Sequence, residues 1–79
     1  MNNQILENVA SRLAEELGID KSEITPEKRL VEDLRADSAT LIMLVMDLED
    51  EYGITVSDDK LAEIKTIAEV VGLIEAGQA

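Results

Sequence analysis

Apolar residues recur at steps of three and four in three stretches of this chain, each running into a glycine, a pattern that restricts it to a small helical bundle. In the first stretch Ile5, Leu6, Val9, Leu13 and Leu17 form one stripe ahead of Gly18. Asn2 or Asn3 is placed to cap it, predicting a helix from about residue 3 or 4 to 17. In the last, Thr66 and Glu69 make a capping box before the inner stripe Ile67, Val70, Val71 and Ile74, with Gly77 expected as the stop. In the middle stretch fourteen residues without Gly or Pro follow Ser38, and Leu41, Leu44, Val45, Leu48 and Tyr52 return on one face before Gly53. Ser38 therefore falls at or next to a helix N-terminus. Free amides and the positive end of the macrodipole suit a hydroxyl cap there, and equally a phosphate attached to that hydroxyl. Geometry alone makes Ser38 a candidate attachment point.

Between the first two helices, Gly18 to Asp37 has no period, and Thr25-Pro26 disfavours helix at Thr25. A long loop is expected, strapped across the bundle by Ile19, Ile24, Leu30 and Leu34. After Gly53, Ile54-Thr55-Val56 reads as an extended connection and not a sheet strand. Ser57 is expected to cap a short helix through Ile64, with Asp58 and Asp59 in its first turn and Leu61 and Ile64 turned inward. The predicted fold is all-α: a small four-helix bundle of three main helices and one short one, with a long loop between the first and second.

Composition removes most chemistry. Without His or Cys, the usual zinc constellations and the Ser-His and Cys-His nucleophile pairs cannot be built, so any reactive thiol must be imported. Eighteen acidic against seven basic residues give a formal charge of -11, which repels nucleic acid and anionic membranes and attracts basic partner surfaces. The acidic run from Asp47 to Asp58 fails as a calcium loop, because Tyr52 stands where glycine is required, and no metal site is expected. Met1-Asn2-Asn3-Gln4 lacks a signal-peptide pattern and no apolar run approaches a membrane span, so a soluble, cytoplasmic protein is expected.

The stretch Leu34-Arg35-Ala36-Asp37-Ser38, followed by an apolar helix ending in Glu49-Asp50-Glu51-Tyr52, resembles the acyl carrier protein family. The likeness runs from the first helix near Ile5 to the last near Ile74. It implies that Ser38 carries 4'-phosphopantetheine, derived from coenzyme A, whose thiol holds acyl groups as thioesters. It further implies one non-catalytic, monomeric carrier domain over residues 1–79. The implied partners are a Mg²⁺-dependent phosphopantetheinyl transferase, then an acyl-ACP synthetase or acyltransferase and ketosynthase-type enzymes of fatty-acid, polyketide or specialised lipid assembly. Asp37 would help hold the transferase or its metal, or serve as a helix cap. Arg35 stands where the family usually has Gly, and is either a contact for the attached phosphodiester or a solvated cation near Glu32 and Asp33; Ala39 stands where Leu is usual. An aminoacyl or peptidyl carrier, or a helical interaction module that is never modified, are the competing readings.

Turning Leu41 inward, at about 100° per residue, leaves Ala39, Met43, Met46, Asp47 and Asp50 facing away from the core. The family's fatty-acid members usually carry acidic residues at the positions of Thr40 and Met43. Partner recognition is therefore expected through a Met43 and Met46 patch, with Asp47, Asp50 and Glu51 as a more distant electrostatic guide. The competing expectation is that the last helix or the loop covers Met43. The resemblance implies that Ile42, Leu61, Ile64 and Ile67 border a cavity for the acyl chain.

Overall fold

The structure, a computed structural model, describes residues 2–78; Met1 and Ala79, the outermost residues of the expected domain, lie outside them. Its order is α1 (Asn3–Leu17), a 3-10 turn (Lys21–Glu23), α2 (Ser38–Tyr52), α3 (Asp58–Glu63) and α4 (Ile67–Gln78), and among the described residues there is no strand. Asn2 caps α1, its side chain accepting from the Gln4 and Ile5 amides at 2.9 and 3.1 Å. Gly18, at φ 68, closes the helix in the left-handed region that glycine enters without a Cβ penalty. Gly53 ends α2 in the same way at φ 65.

The core is almost wholly aliphatic. Ile5, Val9, Ala10, Leu13 and Ala14 of α1 meet Leu44 and Leu48 of α2 and Ile67, Val70, Val71 and Ile74 of α4. α1 packs against both α2 and α4, whereas α3 buries no residue fully.

The long loop is pinned to the bundle by burial and by backbone bonds. Ile24, Leu30 and Ala36 are buried in the core, and backbone bonds zip the loop to the start of α4: Leu30 N–H donates to the Lys65 carbonyl (2.8 Å), Ile67 N–H to Lys28 (3.1 Å) and Ala68 N–H to Pro26 (2.9 Å). Loop carbonyls thus serve two α4 amides, while the Thr66 and Glu69 capping box forms as the sequence predicts, with Thr66 N–H donating to Glu69 Oε1 at 2.9 Å.

Two departures from the sequence reading have physical causes. The expected featureless loop contains the 3-10 turn, set by a second capping box in which the Asp20 carboxylate accepts from the Ser22 amide (2.9 Å) and Glu23 reaches back to the Asp20 amide. Gly77 does not stop α4, which continues to Gln78. Glycine is there because Ile54 packs onto it: a Cβ at that position would lie 2.7 Å from Ile54 Cγ2.

Candidate functional site

Ser38 opens α2 as its first helical residue, and its side chain is exposed. The cap is Asp37, whose carboxylate accepts from the Thr40 amide at 2.8 Å. That bond holds the Asp37 carboxyl below the usual carboxylate range, so it stays ionised at neutral pH. With Asp37 taking the cap, the Ser38 hydroxyl is left available for other chemistry.

The chain reaches Asp37 through a tight reversal. Arg35 sits at φ 59, the one non-glycine residue with positive φ among those described, and this lets the Ala36 amide donate back to the Leu30 carbonyl at 2.9 Å. Ala36 is buried by the turn (2% exposed), anchoring the cap and the serine that follow. Arg35 is exposed and makes no ion pair among the described residues; Asp33, one of its expected neighbours, pairs with Arg29 instead, at 3.1 Å. Its backbone shapes the site. The left-handed φ also gives a reason for glycine to suit this position.

Beside Ser38 lies a cleft of about 440 Å³ between α2, α3 and the loop. Its wall includes Ser38, the apolar side chains of Val31, Leu41, Ile42, Leu61, Ala62 and Ile64, and two charged residues, Asp58 and Lys65. Larger grooves of about 620 and 500 Å³ exist elsewhere, but Ser38 lines neither. Of the residues expected to border a cavity, Ile42, Leu61 and Ile64 do so. Ile67 does not: it is fully buried in the main core at the start of α4. Periodicity correctly turned Ile67 inward but did not tell one interior from another. Val31, Leu41 and Ala62 were missed, and Val31 had no signal, since it sits in a loop without a period.

The outward face of α2 is bare. Met43 is 53% exposed and Met46 58%, with Ile42 at 46% and Val31 at 55% beside the cleft, and no other element among the described residues covers Met43. Ala39, Asp47 and Asp50 are exposed as well. The carboxylates are not equivalent: Asp47 and Glu51 both pair with Arg12 of α1, and Glu51 also accepts from Asn8, whose amide nitrogen reaches the Tyr52 hydroxyl at 2.8 Å. Glu49, which the sequence reading assigned no role, accepts from the Val56 amide at 2.8 Å and ties the α2–α3 connection to α2. Among the described residues, no group of acidic side chains could hold a metal ion and no helix is long and apolar enough to cross a membrane.

This geometry fits a group tethered to the Ser38 oxygen: a free hydroxyl at a helix N-terminus, facing solvent at the edge of an apolar cleft. Comparison with known proteins bears on which group. A family model described as "Phosphopantetheine attachment site" matches residues 7–74. The chain is 49% identical over 72 residues to an acyl carrier protein of Exiguobacterium sibiricum, covering 91% of each. It is 44% identical over 72 residues to an acyl carrier protein of Thermotoga maritima, covering 91% of this chain and 89% of that one. In three dimensions it matches the acyl carrier protein of Enterococcus faecalis with a TM-score of 0.81 at 29% identity, covering 95% of both chains.

Proposed function

The chain belongs to the acyl carrier protein family, whose prosthetic group is 4'-phosphopantetheine, and from that premise we propose that Ser38 is the residue that bears it. The group supplies the thiol that a chain without Cys lacks, and on which an acyl group is held as a thioester. A phosphopantetheinyl transferase would form the bond from Ser38 Oγ to phosphorus as the pyrophosphate link of coenzyme A breaks, with adenosine 3',5'-bisphosphate as the leaving group and the hydroxyl proton passing to a base of the transferase.

The chain's own residues hold and present. Asp37 fixes the first turn of α2, and the positive end of that helix favours the phosphodiester charge at Ser38. Leu41, Ile42, Leu61 and Ala62 offer an apolar surface to the cargo, and each methylene moved out of water there gains about 0.8 kcal/mol. Because α3 buries no residue fully, the cleft widens at little cost to the core.

The observation that carries this reading is the exposed Ser38 hydroxyl on the wall of an apolar cleft. It favours acyl cargo over aminoacyl cargo, whose charged amine loses hydration against the apolar part of that wall and finds only Asp58, at its edge, as a partner. The carrier acts as a monomeric unit over residues 1–79 in the cytoplasm, passing cargo among acyl-ACP synthetases, acyltransferases and ketosynthase-type enzymes of fatty-acid, polyketide or specialised lipid assembly. Partners dock on Ala39, Met43 and Met46, with Asp50 as the nearest free carboxylate. Methyl NMR of the holo protein tests the cargo class. Loading a medium-chain fatty acyl group should shift Ile42, Leu61 and Ile64 and leave Ile67 in place, while an aminoacyl group should shift none of them. Equal shifts with both cargoes would remove the preference.

A further inference from the structure

Resting on the reading of Ser38 as the anchor, we infer that Arg12 of α1 is a specificity-determining residue: it occupies the carboxylates flanking the exposed face of α2, so that a partner enzyme meets an apolar surface there and not an acidic one. The Arg12 guanidinium lies 3.7 Å from Asp47 Oδ2 through one terminal nitrogen and donates to Glu51 Oε1 through the other. Glu51 is further engaged by Asn8, so its two oxygens are both committed to α1. At about 100° per residue, Asp47 and Glu51 lie about 40° and 80° around α2 from Met43, on the side that meets α1. Cleft-lining Ile42 lies on the opposite flank.

The pairing lies at the surface, with Asp47 the most open of the three at 49% exposed. The Arg12 side chain is 33% exposed and Glu51 32%, and Arg12 Nε is buried without a hydrogen-bond partner among the described residues, so the base of the guanidinium is packed down while its terminal nitrogens reach the two carboxylates. A cation already in place is not displaced by a partner's lysine without breaking both contacts. What is left for a partner is Met43 and Met46, each more than half exposed, with Ala39 and Asp50. The net charge of -11 draws basic proteins from a distance, whereas Arg12 decides what they find at contact. The fitting occupant of this face is therefore an enzyme surface with an apolar centre and few lysines or arginines opposite the middle of α2.

Two measurements test this. In the first, the apo protein is titrated with hexalysine and followed by amide NMR, a readout independent of whether Ser38 is ever modified. Wild type should show weak shifts without focus, and Arg12→Gln should concentrate them on residues 47–51. Lys21→Gln, which makes the same change in net charge by releasing Glu7 at the other face of α1, should behave as wild type. Arg12→Met keeps the packed stem without the charge, and should repeat the Gln result if that variant proves unstable. In the second, loading of Ser38 by a broad-specificity phosphopantetheinyl transferase is followed against salt. Arg12→Gln should raise kcat/KM about threefold at low ionic strength through KM, and the gain should vanish by about 0.5 M salt. Adding Asp47→Asn and Glu51→Gln should cancel it. Equal focusing in the Arg12 and Lys21 variants, or a gain that survives removal of both carboxylates, would overturn the inference. A wild type that is never loaded would instead count against the anchor at Ser38.

Discussion

Replacing Arg35 by glycine should stabilise the protein, although it removes a cation from a chain of charge -11. At φ 59 an L side chain crowds the neighbouring carbonyl, at a cost of about 1–2 kcal/mol. Glycine removes that cost but loses more backbone freedom on folding, which takes back about 0.5–1 kcal/mol. The net gain is about 0–1.5 kcal/mol, or up to roughly 12 °C in Tm for a domain of this size. Arg35→Ala is the control: it also removes the guanidinium but keeps the Cβ, and with no ion pair to lose among the described residues it should stay within about 0.5 kcal/mol of wild type. Thermal melts of the three proteins by circular dichroism decide it. If the Gly variant melts below both wild type and the Ala variant, the left-handed backbone at Arg35 stores too little strain to offset glycine's entropy and the argument is wrong.

Gly77→Ala should destabilise by about 1–3 kcal/mol because the new methyl meets Ile54 Cγ2 at 2.7 Å; in an Ile54→Ala background the same change should become neutral or favourable, which a double-mutant cycle of denaturant midpoints reads directly. The folded pKa of Asp37 is depressed by the Thr40 amide, so its contribution is present above the unfolded value of about 3.9 and is lost as pH falls through the lower folded value. Asp37→Asn keeps a capping oxygen without the titration, so the gap between the two Tm-against-pH curves should change only below about pH 5; a gap that opens near neutrality would refute the assignment. Met43→Glu on the exposed face should improve coupling to fatty-acid enzymes with basic docking surfaces and weaken a dedicated partner, as measured by KM for the carrier, and no change in either would retire the apolar docking face.

The parts of this fold that were legible in the sequence are those fixed by neighbours in the chain. Asn2, Gly18, Gly53, Ser57 and the Thr66 and Glu69 pair each act within a turn of themselves, so their residue types announce their roles. The Asp20 and Glu23 box was equally local and readable, but it was obscured by the absence of an apolar period around it. What stayed hidden depends on contacts between distant segments. Gly77 reads as a stop until Ile54 is seen packed upon it. Arginine as a residue type carries no sign of the left-handed backbone that lets the Ala36 amide reach Leu30; only the glycine usual at this position in the family hints at it. The pairing of Arg12 with Asp47 and Glu51 exists only once α1 is laid beside α2. At the site, the exposed side of α2 follows from its period, while the membership of the cleft does not, since Val31 comes from the loop and Ile67 belongs to the other interior.

Intact mass spectrometry tests the central claim most directly. The purified apo protein is incubated with coenzyme A, Mg²⁺ and a broad-specificity phosphopantetheinyl transferase, alongside Ser38→Ala and an established carrier. Wild type should gain the mass of one phosphopantetheine, located by fragmentation on the peptide containing Ser38, and the variant should gain none. A wild type left unmodified while the established carrier is fully charged, or a variant that still takes up the group, would contradict the account.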